Sequence, residues 1–292
     1  MRLNMVGAFI RNSPFGSEIA FKKGLERLGH AVTPIDPDYP GQTWDHGADA
    51  TIVFKWLPAY QEELAKCSGH KIVYQPDDLR FPHIRDMMLK MREHCDHALT
   101  FDDDGARLAL SYGYKTAKRL LLTADDTLYR PSNVPKIIDL CFVGSLTMGP
   151  NHASRRRMIE VIREKTKLRI AVANELFDVP YIAKLYSYSR VVLNHATDVG
   201  QPFGHGYGYQ CRHFEAGMTR SCVLSNVVDN ESVIRHIETF SDERELVEKA
   251  QQLVRDDVMR QKLADGLYAE ILESHMPQHR GQEIVDFVER LG

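Results

Sequence analysis

Apolar and polar positions alternate along the chain in two recurring textures. Short apolar runs at Leu3–Ile10, Ala50–Phe54, Lys71–Tyr74, His97–Phe101 and Lys118–Leu122 read as buried strands. Between them lie longer stretches with helical spacing. The first, EIAFKKGLERLGHAV, places Ile19, Phe21, Leu25 and Leu28 on one helical face, and Gly29 closes it. Strands that alternate with helical patterns predict a parallel, doubly wound α/β sheet.

The alternation pauses at TADDTLYRPSNVPK, where Pro131 and Pro135 among polar neighbours suit a linker better than a packed element. It then resumes. IIDLCFVGS, LRIAVA, RVVLNHA and SCVLSNV read as strands; ASRRRMIEVIREKT, VPYIAKLYSYS, RHFEAGMTR and the long DERELVEKAQQLVRDDVMRQKLADGLYAEILESH read as helices. TDVGQPFGHGYGYQ, with glycines at 200, 204, 206 and 208, reads as a loop. Two domains are expected, residues 1–134 and 135–292, with the last helix able to pack back on the first. Such domains place their ligands in a cleft at the C-terminal ends of both sheets.

Composition narrows the function without naming it. The 292 residues are 43% hydrophobic, enough for two cores. A net charge of -3 removes a global basic field for nucleic acid. The opening apolar run is too short for a signal sequence or a membrane span, so a cytoplasmic location is expected. Five cysteines without a CxxC pair suggest neither a disulfide framework nor a zinc knuckle. Thirteen histidines include no HExxH, and GxSxG and Walker A sequences are absent, which removes the commonest metalloprotease, hydrolase and NTPase readings.

Four segments in order, IIDLCFVGSLTMGPNHASRRRMIEVI, YIAKLYSYSRVVLNHA, RHFEAGMTRSCVLSN and DERELVEKAQQLVRDDVMRQKLA, resemble the C-terminal domain of the group-1 glycosyltransferases, nearest their spore-maturation-protein-like branch. SPFGSEIAFKKGLERLGHAV is similar to that family's first loop and helix. The resemblance implies a GT-B fold: two doubly wound, Rossmann-like parallel-sheet domains facing across a cleft. It implies a nucleotide-sugar donor, a UDP-sugar foremost, with no further cofactor and no bound metal. One departure stands out: of two family glutamates separated by seven residues, Glu215 matches the second, whereas Tyr207 occupies the first position.

A nucleotide sugar needs cations or helix amides for its diphosphate and a carboxylate for its ribose. Arg212, at a predicted helix start, suits the first role, and Glu215 resembles the ribose-binding glutamate. Both are expected to be exposed; the alternative is a plain i,i+3 surface pair. Gly144 and Ser145 end a strand where the chain can approach phosphates closely. Arg155, Arg156 and Arg157 occupy successive helical positions and so point in three directions, Arg155 or Arg156 best fitting the family arginine. Asn194 and His195 end another strand at the ligand edge. The following loop, with His205, Tyr207 and Tyr209, reads as a mobile lid on the donor or acceptor. Ser13, Phe15 and Gly16 form the acceptor-side loop. Asp77 and Asp78, directly after a strand, are the candidate bases, with a turn or cap as the other reading. Asp102, Asp103 and Asp104 imitate a metal-binding DxD, but a helix cap suits them better.

The acceptor classes are a glycan or lipid-linked precursor, a small metabolite, and a modified DNA base. The last would use a basic rim of Arg80, Arg85, Lys90, Arg92, Lys115, Lys118 and Arg119, which otherwise reads as solvated helix faces. Two further functions compete, a non-catalytic nucleotide-sugar-binding protein and a GT-B-type nucleotide-sugar epimerase.

Overall fold

The structure is a computed structural model that describes residues 1–13, 16–54, 60–147, 151–175, 178–196, 198, 203–228 and 233–292. The chain divides into two compact units, Met1–Thr123 with Met276–Gly292, and Ala124–His275.

The first unit begins with β1 (Arg2–Val6), α1 (Ser17–Arg27), β2 (Ala31–Ile35), β3 (Ala50–Val53), α2 (Gln61–Lys66), β4 (His70–Gln75), α3 (Pro82–Met91), β5 (His97–Thr100), α4 (Asp103–Ser111) and β6 (Thr116–Arg119). The strands form one parallel sheet in the order β2-β1-β3-β4-β5-β6. Residues buried on both faces, as in the fully buried ATIV of β3, are the mark of a sheet covered on both sides. Val6, Val53, Val73 and Ala98 meet Ile84, Met88 and Met91 of α3 in its core. Gly29, at φ 83°, closes α1 in a conformation that side chains resist.

The second unit contains β7 (Ile138–Val143), α5 (Asn151–Lys165), β8 (Ile170–Ala173), α6 (Val179–Tyr188), β9 (Ser189–Asn194), α7 (Cys211–Met218), β10 (Cys222–Ser225), β11 (Glu238–Thr239), α8 (Glu243–Arg255) and α9 (Asp257–Ser274). Its sheet is also parallel, in the order β11-β10-β9-β7-β8. Leu140, Phe142, Val191, Leu193 and Leu224 pack there against Met158 and Ile162 of α5 and Leu246 and Leu253 of α8. The long helical stretch expected after Asp242 is two helices. Asp256 takes an extended backbone and its carboxylate accepts from the Met259 amide, so it ends α8 and caps α9. Residues 124–134 cluster with this unit, and the Tyr129 ring lies 6.4 Å from that of Tyr186.

The final helix, α10 (Pro277–Glu289), belongs to the first unit and lies against α1. The two helices meet through glycine. A Cβ on Gly24 would stand 1.9 Å from the Pro277 carbonyl oxygen, so only Gly permits this approach.

Candidate functional site

In the second unit, β7 leads outward on one side to β8 and the chain then returns to the other side of β7 as β9. The switch point of this parallel sheet therefore lies between the C-terminal ends of β7 and β9, where open α/β sheets bind ligands. Gly144 and Ser145 follow β7, and Asn194 and His195 end and follow β9. Arg212, in the first turn of α7, donates from Nε to Asn194 Oδ1 at 3.0 Å. Its Nη1 would lie 3.5 Å from a Cβ placed on Gly144, so the guanidinium lies directly beside this glycine. From α5, Arg155 donates through Nη1 to the Ser145 carbonyl at 3.2 Å. Gly144, Ser145, Arg155, Asn194 and Arg212, chosen separately along the sequence, are thus neighbours.

The electrostatics of this edge are unusual. Burial, reinforced by the like charge of Arg212, pushes the Arg155 guanidinium down to about 10, with Asp198 pulling the other way. Its Nε has no hydrogen-bond partner among the described residues, nor do His152 Nδ1 and His195 Nδ1. His195 is 1% exposed, and its Nε2 stands 3.2 Å from Asp198 Oδ2. The backbone beside it is clasped by Asn226, which accepts from the Ala196 amide at 2.6 Å and donates to the Ala196 carbonyl at 3.2 Å. Half-buried cations near each other, one with an unused donor, are stabilised when an anion joins them.

Below this layer, His213 ties α7 to the sheet. Its ring nitrogens lie within 2.9 to 3.0 Å of the Gln210 amide, Asn194 Nδ2 and Ser225 Oγ. Complete burial holds the imidazole neutral, at about 3. Of the other two arginines of the triplet, Arg156 donates to the Leu146 carbonyl in the same loop, and Arg157 points away to Glu243 on α8.

Three expectations need correcting. Glu215 is not exposed: it is buried at 9% exposure, with the Tyr186 hydroxyl donating to Oε2 at 3.3 Å and Tyr129 and Cys211 also bonded to it. Burial raises its carboxyl above the usual range, against the pull of Arg212. The reason lies in packing: Tyr186 of α6 and Tyr129 of the segment before β7 close over the Glu215 face of α7. The loop read as a lid is pinned over its described part. Gly206 exchanges backbone hydrogen bonds with Asn226 and Val228, and Tyr209 is 4% exposed, edge-on to the His213 ring. His205 is exposed.

Asp78 is the third correction. At the C-terminal edge of β4 in the first unit it is 2% exposed, and its Oδ1 accepts from the Arg80 amide at 2.9 Å and from Arg80 Nε at 2.6 Å. This is the turn reading, in which the carboxylate is committed to Arg80 and does not face solvent. Asp77 is exposed beside it. Arg80 also reaches Asp102 at 2.8 Å and Asp104 at 3.3 Å, while Asp102 caps α4. Arg85, Lys115 and Arg119 of the suggested basic rim pair with Asp86, Asp96 and Asp103. Ser13 and Gly16 lie after β1, at this sheet's own β1–β3 switch point, and Phe15 lies outside the described residues. A Cβ on Gly16 would come within 2.7 Å of the Glu18 carboxylate, which folds back over the loop and accepts from Asn12 Nδ2 at 2.8 Å.

His152, Asp198, Asn226 and Tyr129 escaped the sequence reading, and His195 was noted only for its place on a strand end. An isolated His or Asp carries no spacing signal. The clue was the apolar run ending in Asn194 and His195, because the C-terminal edge of a parallel strand is where ligands bind.

Comparison with known proteins agrees with this architecture. Residues 155–286 match the family described as glycosyl transferase-like. No curated protein matches the sequence. Among solved structures, Anabaena HepE in complex with UDP-glucose is similar at a TM-score of 0.62 and 12% identity, covering 99% of this chain and 100% of that one. Staphylococcus aureus TarM, in complex with fondaparinux, alpha-GlcNAc-glycerol and UDP, gives 0.58 at 9% identity, covering 82% of this chain and 55% of TarM. The pneumococcal O-GlcNAc transferase GtfA with UDP and GlcNAc gives 0.56 at 12%, covering 82% of this chain and 56% of GtfA. This chain thus spans just over half the length of the last two. The two parallel α/β sheets and the architecture shared with these structures give the chain a GT-B fold, and residues 155–286 carry the similarity to the glycosyl transferase-like family.

Proposed function

We propose that the protein moves a sugar from a nucleotide-sugar donor to an acceptor hydroxyl, holding the donor diphosphate at the β7–β9 switch point of the second unit. The observation that carries this reading is the half-buried, mutually repelling pair Arg155 and Arg212, with the buried Arg155 Nε lacking a partner among the described residues. A diphosphate supplies the missing negative charge and acceptors. Arg155 sits near the N-terminus of the fifteen-residue α5, whose dipole adds to the attraction. These cations stabilise the leaving diphosphate as charge develops on it, the role the resemblance assigns to protein groups instead of a metal ion. Glu215 keeps lone pairs beyond its present donors and is the carboxylate assigned to the ribose hydroxyls. Ser13 and Gly16 are assigned to the acceptor, with exposed Asp77 as the base.

The UDP and UDP-glucose held by HepE favour a UDP-sugar and hexosyl transfer. The acceptor hydroxyl belongs to a glycan or small metabolite ahead of a hydroxymethylated DNA base, because four of the seven basic residues proposed to meet DNA are engaged in ion pairs. The test is a thermal-shift screen against UDP, GDP, TDP and CMP and their sugar conjugates, on the wild type and on Arg212→Ala. A ligand bound only by the folded state raises the melting point by mass action. A shift that Arg212→Ala loses supports the reading. No shift in the wild type removes the donor site, and binding without transfer or donor hydrolysis turns the protein into a non-catalytic binder.

A further inference from the structure

The arginines account for the charge of a bound diphosphate but leave His195 unexplained. It is 1% exposed, its Nδ1 has no partner among the described residues, and its Nε2 lies 3.2 Å from Asp198 Oδ2, within ion-pair distance but not aligned as a hydrogen bond. The Asn226 clasp on Ala196 fixes the backbone that carries it. The charged and titratable groups around it are Asp198 on its own loop, His152 and Arg155 from α5 and Arg212 from α7, with Ser154 of α5 bonded to Asp198. With neutral imidazoles these groups sum to a single positive charge. A nucleotide sugar carries a doubly charged diphosphate, and the nucleoside diphosphate released from it gains a further charge on the freed oxygen.

We propose that His195, held by Asp198, is a catalytic proton carrier: it takes up a proton when the diphosphate binds and gives it to the departing phosphate oxygen. This rests on the donor-site reading above. In the balanced step, the bond between the sugar C1 and the β-phosphate oxygen breaks and its electron pair stays on that oxygen. The His195 proton moves to the oxygen, C1 bonds to the acceptor hydroxyl oxygen, and the acceptor proton leaves to a base on the acceptor side. The imidazole returns to neutral. Asp198 supports the uptake by pairing with one ring nitrogen while the other turns to phosphate. In the absence of a ligand, burial keeps His195 below the ordinary histidine range, with Asp198 pulling the other way, so the uncharged form is the resting one.

The experiment is calorimetric titration of the 292-residue chain with UDP-glucose in two buffers of different ionisation enthalpy. As a diphosphate diester, UDP-glucose has no phosphate titrating near neutral pH, so any proton uptake belongs to the protein. The wild type is expected to take up about one proton per ligand near pH 7.5. His195→Gln should bind about tenfold more weakly with no uptake. In Asp198→Asn the uptake should move to lower pH. Retained uptake in His195→Gln, or its loss in His152→Gln alone, would overturn the assignment, as would wild-type binding without uptake. Failure of the wild type to bind any of the screened nucleotide sugars would sink the donor site itself, a different result from binding without a proton.

Discussion

The two sheets end in opposite electrostatic arrangements. At the edge of β4 and β5, Arg80 faces three carboxylates; burial lowers its affinity for the proton, but Asp78, Asp102 and Asp104 outweigh that and the net shift is upward. At the edge of β7 and β9, burial and a second arginine push Arg155 down to about 10. The first cluster is closed within its own unit and acts as structure. The second leaves positive charge and a buried Arg155 donor without partners among the described residues, which is what the proposed donor site rests on. Counting basic residues in the sequence would rank the two alike.

Breaking the closed cluster should give the largest effect. Arg80→Ala leaves buried Asp78 without its cation and is expected to cost about 3 kcal/mol of stability, read as a lower urea midpoint, with UDP-glucose affinity unchanged. The open cluster should respond the other way. Arg212→Ala is expected to weaken UDP-glucose binding by about 1.5–3 kcal/mol, the worth of a hydrogen bond to a charged group, while the urea midpoint stays the same or rises. A large fall in midpoint with intact binding would reverse the comparison.

Acid should reveal the neutral interior of the second unit. His213 titrates at about 3 in the folded protein and near 6.5 unfolded, so between these values the unfolded chain binds the extra proton. Stability is therefore complete above pH 6.5 and falls as pH drops toward 3, by up to about 1.4 kcal/mol per pH unit. His213→Gln should flatten this slope in denaturation measured from pH 7 to 4.

Glu215 offers the smallest and most selective change. Its carboxyl is raised on folding, so the ionised form is disfavoured at neutral pH and the penalty fades as pH falls. Glu215→Gln keeps the shape and is expected to hold or raise stability by about 1 kcal/mol or less. If the carboxylate also takes the ribose hydroxyls, UDP affinity should drop about tenfold, measured by calorimetry.

Much of the fold was legible along the chain. Ala50–Phe54 and His97–Phe101 are continuous apolar runs of strand length, and each is a strand buried on both faces. Short pairings were not legible: β11, only Glu238–Thr239, has too little sequence to show a period. Position on a strand or helix end was enough to foresee that Gly144, Asn194 and Arg212 share one sheet edge. Where partners decided the role, sequence misled. Asp77 and Asp78 are adjacent and chemically identical, yet one is exposed and the other is locked to Arg80.

The sequence by itself determined the alternation of strand and helix, the parallel sheets and the strand ends that carry polar residues, because hydrophobic period and turn chemistry are local properties. Only the tertiary structure decided which charges are compensated. That depends on residues far apart in the chain, as when α5 brings Arg155 to Ser145 and the neighbourhood of Arg212, or β5 and α4 bring Asp102 and Asp104 to Arg80. The energy of a charge in a protein interior is set by what surrounds it, and no local pattern of residues records that.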